Sequence, residues 1–217
     1  MSTVKKIFKI REMSSLLFLV ALFLIVGAIN PTFLTGTNIA ACFNTSVVYT
    51  LIAVGMAFTI FIGEIDVSVG SNLGLVATVV GMMLRDGKNW ILSFAVGILI
   101  GVVIGLINGW GVSVMKIPSL IFTLGTNGIL RGMMYILAGG AWVENLPKSF
   151  KDFSSVTLAG NLTVYYCVLD LIVIAIHFIL TKTRKGRYFI AVGDNEGGAT
   201  LVGIPAVRIK VSAYVFC

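Results

Sequence analysis

Charged residues are scarce in this sequence, and their scarcity excludes an ordinary soluble domain. Asp, Glu, Lys and Arg make up 12% of the 217 residues, whereas soluble domains carry about 25%. A chain with so few charges cannot cover a water-facing surface with polar groups. Hydrophobic residues make up 58% of the chain, and a lipid bilayer is the solvent that suits such a composition.

Clusters of metal ligands and reactive side chains are also missing. His177 is the only histidine, and Cys42, Cys167 and Cys217 lie far apart with no CxxC motif. This arrangement is not typical of zinc sites or disulfide frameworks. We therefore predict no metal site, no cofactor and no catalytic residue, and we do not expect the chain to be an enzyme.

Two further function classes lack support in the sequence. The net charge is +7, but the basic residues lie at the ends of apolar runs rather than on a polar domain, so nucleic-acid binding is not expected. The segment nearest to a phosphate-binding loop, Gly81–Asn89, has the wrong spacing and lacks the Ser or Thr that must follow the lysine. Any ATP hydrolysis is therefore expected in another chain.

Long apolar runs dominate the rest of the sequence. A helix that crosses the hydrocarbon of a bilayer needs about 17–25 residues. Six runs qualify, and they are Met13–Ile29, Asn38–Ile62, Val67–Leu84, Trp90–Met115, Pro118–Ala138 and Leu162–Thr181. A further run begins at Val211. We predict an all-α, polytopic transmembrane helical bundle in which the third and fifth runs are either full spans or broken, re-entrant segments.

Basic residues predict the orientation of this bundle. They cluster at the N-terminus, in Lys5, Lys6, Lys9 and Arg11, and again in Lys182–Arg187. Positive residues favour the cytoplasmic side of a membrane, so both clusters are predicted to be cytoplasmic. Two cytoplasmic clusters require an even number of crossings between them, and the six runs satisfy this condition.

Four glycines recur at a spacing of four in the fourth apolar run. They are Gly97, Gly101, Gly105 and Gly109. This spacing places them close to one face of a helix, and glycines on such a face let a neighbouring helix approach closely. We predict that they serve helix packing.

Charged residues within or between apolar runs are candidates for function, because charges at membrane depth are costly. Glu64 and Asp66 lie between the second and third runs, and Arg131 lies inside the fifth. Asp66 is interpreted as a functional carboxylate, as a cap of a helix that starts at Val67, or as a solvated group in an interfacial turn. Arg131 either pairs with one of the two carboxylates or extends to the membrane interface.

The segment Arg184–Lys210 is the most polar in the chain. It predicts a short helix over Glu196–Val202, with Asp194 or Asn195 as its N-cap and Gly203 at its end. The segment is interpreted either as a docking surface or as an ordinary solvated loop.

Three motifs in order resemble one known family. Gly63–Ser71 reads Gly-Glu-Ile-Asp-Val-Ser-Val-Gly-Ser and resembles the family's Gly-Gly-Ile-Asp-Leu-Ser-Val-Gly-Ser, with Glu64 in place of a glycine. Ile117–Thr126, followed by Leu-Arg-Gly at 130–132, resembles Pro-x-x-Ile-x-Thr-Leu-Gly-Thr and its continuation. Gly186–Ile204 resembles the family's cytoplasmic coupling loop. The family is that of ribose/xylose/arabinose-type permeases of bacterial ABC importers, which also includes autoinducer-2 permeases.

The resemblance implies roles for particular residues. Its acidic motif implies a transport-pathway or core region that contains Glu64, Asp66, Ser68, Thr123 and Arg131. It also implies an ATPase-coupling loop within residues 184–206, with Gly193, Asn195, Glu196, Ala199 and Gly203 as its key positions.

The resemblance also implies partners and a location. We expect two ATP-binding subunits, an extracytoplasmic solute-binding protein and a permease homodimer or heterodimer. The expected location is the bacterial cytoplasmic membrane, with many crossings and a cytoplasmic N-terminus, and the expected cargo is a simple sugar or sugar-like solute. Residues 1–217 would form a single transmembrane permease domain.

Two departures from the family are visible. Gly197 and Gly198 replace better helix formers in the coupling loop, and glycine costs about 1 kcal/mol relative to alanine in a helix. The sequence also stops at Cys217, where the family continues, so we expect the domain to be incomplete at its C-terminus. The alternative functions are a secondary transporter or channel, which uses ionisable residues within the membrane, and a non-functional truncated permease fragment.

Overall fold

The computed structural model describes residues 13–157 and 162–217, and these residues form a bundle of α-helices without a β-strand among them. The helices are α1 (Met13–Ile29), α2 (Gly36–Phe61), α3 (Val69–Arg85), α4 (Trp90–Ser113), α5 (Ser119–Ala138), α6 (Lys148–Ser154), α7 (Val164–Lys182), α8 (Arg184–Asp194), α9 (Glu196–Leu201) and α10 (Ala206–Phe216). The N-terminal basic cluster that predicts orientation lies outside the described residues.

All six predicted apolar runs are helical, which confirms the predicted all-α membrane bundle. Within the described residues, α2, α4, α5 and α7 are long and apolar enough to cross a membrane, while α1 and α3 are apolar but shorter. Many of their large apolar side chains point outward, such as Phe18 and Ile98, which are 71% and 69% exposed. Such a surface is stable against lipid tails rather than water.

The connection between α2 and α3 is the main irregularity of the bundle. Helix α2 ends at Phe61 and α3 begins only at Val69, so the intervening residues 62–68 are not helical. Gly63 adopts a φ of 76° there, a left-handed conformation that glycine adopts without a steric penalty. With 17 residues, α3 is about 26 Å long, slightly less than the roughly 30 Å of hydrocarbon. Residues 62–68 are called the α2–α3 turn below.

The polar segment Arg184–Lys210 is more helical than the sequence predicts. The short helix α9 and its N-cap Asn195 are confirmed, since the Asn195 side chain accepts a hydrogen bond from the Gly198 N–H at 2.8 Å. Helix α8 is an addition to the prediction, and α10 starts at Ala206, five residues before the predicted apolar run. Helix α8 buries only one stripe of side chains, which includes Phe189 and Val192. The charged residues on its other face make this part of the sequence resemble a polar loop.

Most of the buried apolar side chains gather at one end of the bundle. There the ends of α2, α4 and α7 meet α8, α9 and α10. The cluster consists of Phe58, Ile62, Val112, Leu180, Phe189, Val192, Ala199, Ala206, Ala213 and Tyr214. This end of the bundle therefore holds the polar segment firmly against the membrane helices, and we call it the α9 end.

The glycines of α4 allow close contact with two neighbouring helices rather than one, which corrects the predicted single packing face. A Cβ on Gly97 would lie 2.8 Å from a Val80 methyl in α3, whereas a Cβ on Gly109 would lie 2.8 Å from the Cα of Val211 in α10. Gly105 faces α10 as well, and Gly101 has nothing within 4 Å of such an atom. Each step of four residues rotates by about 40° around a helix, so the ends of the stripe face different neighbours.

We predict that Gly109→Ala destabilises the protein while Gly101→Ala does not. The added methyl group at 109 would collide with the backbone of α10, and overpacking of this kind typically costs about 1–3 kcal/mol. The same substitution at 101 meets open space and improves helix propensity by up to about 1 kcal/mol. The measurement is the thermal unfolding midpoint of the purified variants in detergent. Equal effects at the two positions would contradict the assigned packing.

Candidate functional site

The carboxylate of Asp66 is buried in the α2–α3 turn and is fully engaged. Asp66 is 4% exposed. Its Oδ1 accepts hydrogen bonds from the backbone N–H and from the hydroxyl of Ser68, both at 2.7 Å. Its Oδ2 accepts a hydrogen bond from the side-chain amide of Asn108 at 3.3 Å. The carboxylate therefore ties the turn to α4.

Asn108 joins three elements, and it lies outside the motifs that the sequence offers as candidate sites. Its Nδ2 also donates to the Ser68 hydroxyl at 2.8 Å, and its Oδ1 accepts from the Thr126 hydroxyl of α5 at 2.8 Å. The side chain is completely buried. The sequence does contain a signal for Asn108, since it is the only carboxamide in the 24 residues of α4. A polar side chain that is buried in a membrane helix requires hydrogen-bond partners.

Helix α5 supplies hydroxyl groups to the backbone of the turn. The Thr123 Oγ1 accepts the backbone N–H of Val67 at 3.2 Å and donates to the Ser119 carbonyl at 2.8 Å. The Ser119 hydroxyl accepts the N–H of Ile65 at 3.3 Å. These contacts give the non-helical backbone of the turn hydrogen-bond partners within the protein.

These contacts decide between the interpretations of Asp66. The carboxylate is buried, so the solvated-turn interpretation is wrong. The capping interpretation is wrong for the helix itself, because α3 begins at Val69 after the N-cap Ser68 and no side chain among the described residues caps it. Asp66 bonds the N–H of Ser68, the residue before Val69, where α3 begins. The interaction therefore closes the turn that leads into the helix.

Arg131 does not pair with either carboxylate, which corrects the predicted alternative. It is exposed on α5, and the ion pairs found among residues 13–157 and 162–217 do not include it. Arg131 lies eight residues beyond Thr123, which places it about 12 Å further along the helix. The distance along α5 removes Arg131 from the polar network around Asp66.

Glu64 takes part in a different ionic chain at the α9 end. Its Oε1 lies 3.0 Å from the Nζ of Lys210, which also lies 2.8 Å from Oε2 of Glu196. The second oxygen of Glu196 lies 3.7 Å from the Nζ of Lys116. The hydrogen bond from Lys210 lowers the pKa of Glu196 below its ordinary value, against the partial burial that raises this pKa. Glu196 is therefore ionised at neutral pH.

The other predicted coupling residues have structural roles around α9. Asn195 caps the helix, Ala199 within it is 5% exposed, and Gly203 follows it with a φ of 84°. Gly193 lies directly against the backbone of Phe61, so close that a Cβ would overlap the Phe61 carbonyl. The predicted coupling positions thus come together at the α9 end, next to Glu64.

The described residues offer no obvious site for a metal. Among residues 13–157 and 162–217, no three His, Cys, Asp or Glu side chains lie close enough together to hold an ion. The apolar cleft between α4 and α5, about 770 Å³ in volume, is lined mainly by aliphatic side chains such as Ile104 and Leu130. The polar chemistry is therefore concentrated in the Asp66 network and in the ionic chain.

We predict that Asn108→Ala destabilises the protein and that Asn38→Ala has little effect. Without Asn108, the Asp66 Oδ2 loses its only hydrogen-bond donor found in the described part of the chain, and an unsatisfied buried group costs about 1–3 kcal/mol, more when it is charged. Asn38 is exposed, and its side-chain amide donates to the Thr32 carbonyl at 2.7 Å. The measurement is the thermal unfolding midpoint in detergent. A decrease for Asn38→Ala as large as that for Asn108→Ala would contradict the role of the network.

Comparison with known proteins gives a consistent result. A family model described as "Branched-chain amino acid transport system / permease component" matches residues 38–217. The chain is 37% identical over 210 residues to the autoinducer 2 import system permease protein LsrC of Enterobacter sp. (strain 638), covering 97% of the chain and 61% of that relative. No solved structure matches the chain significantly.

Further relatives carry the same name. The LsrC protein of Yersinia enterocolitica is 36% identical over 94% of the chain, and the chain covers 56% of that relative. The LsrC protein of Salmonella typhi is 34% identical, again over 94% of the chain, and the chain covers 58% of it. The chain therefore spans about three fifths of the length of the curated relatives it matches.

Proposed function

The chain belongs to the permease family of the branched-chain amino acid transport type, and from this premise we propose that it is part of the membrane-spanning subunit of an ATP-binding-cassette importer. The proposed cargo is a simple sugar or a sugar-like solute. Support for this cargo comes from the relatives, which are named as permeases of autoinducer 2 import systems. In this proposal the chain moves solute, and ATP is hydrolysed by partner subunits.

The observation that carries the proposal is the surface of α9. Leu201 and Val202, at the end of this helix, are 90% and 77% exposed. They lie in the most polar segment of the chain, where lipid contact does not account for exposed apolar side chains. An apolar patch with a polar surround is typical of a protein interface. We therefore propose that residues 184–206 form the segment that docks onto an ATP-binding subunit.

The roles of the core residues are also part of the proposal. Both Asp66 oxygens are occupied by hydrogen bonds from Ser68 and Asn108, and Thr123 bonds the turn backbone. These contacts favour a role in which Asp66, Ser68 and Thr123 hold the shape of the transport domain rather than bind the solute. Arg131, which is exposed and remote from Asp66, is not included in this core.

The proposed assembly follows from the family. It contains two permease chains, two ATP-binding subunits and an extracytoplasmic solute-binding protein, in the bacterial cytoplasmic membrane. The α9 end would face the cytoplasm, in agreement with the basic cluster Lys182–Arg187. The opposite end, where α3 is joined to α4, would face the solute-binding protein.

We predict that Val202→Asp weakens association with the ATP-binding subunit and that Val156→Asp does not. A carboxylate at 202 would be desolvated in the interface, and loss of a central interface residue weakens binding by about tenfold or more. Val156 is also exposed, at 47%, but it lies in the connection between α6 and α7, far from α9. The measurement is co-purification of the chain with the tagged ATP-binding subunit encoded beside its gene.

Two results would contradict this proposal. Undiminished co-purification of Val202→Asp would remove α9 from the interface. Absence of co-purification for the unaltered chain would count against the importer itself. A thermal unfolding midpoint equal to that of the unaltered chain is the control that each variant is folded.

A further inference from the structure

Glu64 stands where the resembled motif has a glycine, and the structure gives this carboxylate a partner. The Lys210 ammonium lies 3.0 Å from Glu64 and 2.8 Å from Glu196. The side chains of Lys210 and Glu64 are only 12% and 19% exposed. We call these three residues the Lys210 bridge.

The bridge joins elements that are distant in the sequence. Glu64 belongs to the α2–α3 turn, two residues before the buried Asp66. Glu196 is the first residue of α9, and Lys210 lies in α10 beside Val211, whose backbone closes on Gly109 of α4. A displacement of α9 therefore displaces Lys210 and, through the Lys210–Glu64 pair, the turn that contains Asp66.

Because the bridge is largely buried, breaking it costs more free energy than breaking an exposed ion pair. Exposed ion pairs contribute little because water screens them and the side chains remain mobile. A largely buried lysine is costly unless its charge is compensated, and here two carboxylates share this compensation. Moving α9 away from the turn would separate Lys210 from one of its two partners.

We propose that Lys210 is a positioning residue that couples α9 to the α2–α3 turn, so that the two move as one unit. The inference rests on the proposed function, because α9 is taken to be the element that docks onto the ATP-binding subunit. Lys210 contacts neither solute nor nucleotide in this role. It acts by transmitting the position of α9 to the Asp66 network.

Lys116 offers a matched control for this role. It also contacts Glu196, at 3.7 Å, but its side chain is 70% exposed. Within the described part of the chain, Lys116 makes no ion pair with Glu64. The substitutions Lys210→Gln and Lys116→Gln therefore each remove one cation from Glu196, while only the former disconnects α9 from the turn.

The first experiment measures amide hydrogen exchange in the purified chain, without any partner. We predict that Lys210→Gln accelerates exchange in both α9 and residues 62–68 by about tenfold or more, because a broken buried ion pair leaves charges uncompensated. Lys116→Gln is expected to leave residues 62–68 unchanged. Faster exchange in α9 alone, or in neither segment, would overturn the coupling.

Glu64→Gln keeps the test decisive if Lys210→Gln fails to fold. This change nearly preserves side-chain volume, leaves the Lys210–Glu196 pair in place and removes the charge that ties the bridge to the turn. Increased exchange in both segments supports the bridge, and unchanged exchange in α9 overturns it. In a double variant, Glu64→Gln and Lys210→Gln are expected to be non-additive, since they break one shared contact.

The second experiment uses the assembled importer in vesicles and separates this inference from the proposed function. Lys210→Gln is expected to retain association and ATP hydrolysis but to import several-fold less solute per ATP, whereas Lys116→Gln keeps the ratio of the unaltered protein. An unchanged ratio for Lys210→Gln would overturn the positioning role while the importer assignment stands. If hydrogen exchange in α9 and residues 62–68 is coupled but the chain binds no ATP-binding subunit, the positioning role stands and the importer assignment is overturned.

Discussion

Backbone amides that leave a helix inside an apolar bundle must find partners within the protein, and residues 62–68 impose this requirement here. The N–H groups of Gly63 and Glu64 bond carbonyls at the end of α2, and three further along the turn bond side chains. Ser119 and Thr123 supply hydroxyl oxygens, and Asp66 supplies a carboxylate. The turn is thereby tied to α5 through its backbone and to α4 through the Asp66 and Ser68 side chains.

The same requirement accounts for the concentration of polar side chains at the α9 end. The Asp66 carboxylate bonds the side-chain amide of Asn108, the only carboxamide of α4, and Asn108 in turn accepts a hydrogen bond from Thr126. Close approach of α10 to α4, allowed by Gly105 and Gly109, brings Lys210 within reach of Glu64. The Asp66 network and the ionic chain therefore lie close together at this end, and Asn108 connects the Asp66 network to α5 by bonding both Asp66 and Thr126.

Sequence reasoning predicts the elements of this fold better than their contacts. Apolar runs of spanning length carry a strong local signal, and Asn195 next to a short helical segment gives a recognisable cap. The sequence leaves two alternatives for Arg131, and the choice between them depends on the depth at which α5 crosses the turn, which no local pattern encodes. Asn108 gives no motif that marks its partners, and the charged face of α8 makes its sequence resemble a loop. Contacts across more than 100 residues, such as that of Glu64 with Lys210, arise only from the tertiary packing.

Helix α8 is fixed to the bundle through two glycines, Gly186 and Gly193, each pressed against another backbone, that of Leu180 at one end and that of Phe61 at the other. They are seven residues apart, close to two helical turns, so both lie on the same side of α8. Rotation of α8 about its own axis would break both of these backbone contacts. If α9 is displaced, α8 can keep both contacts only by sliding or tilting, and the two contacts set the direction of that movement.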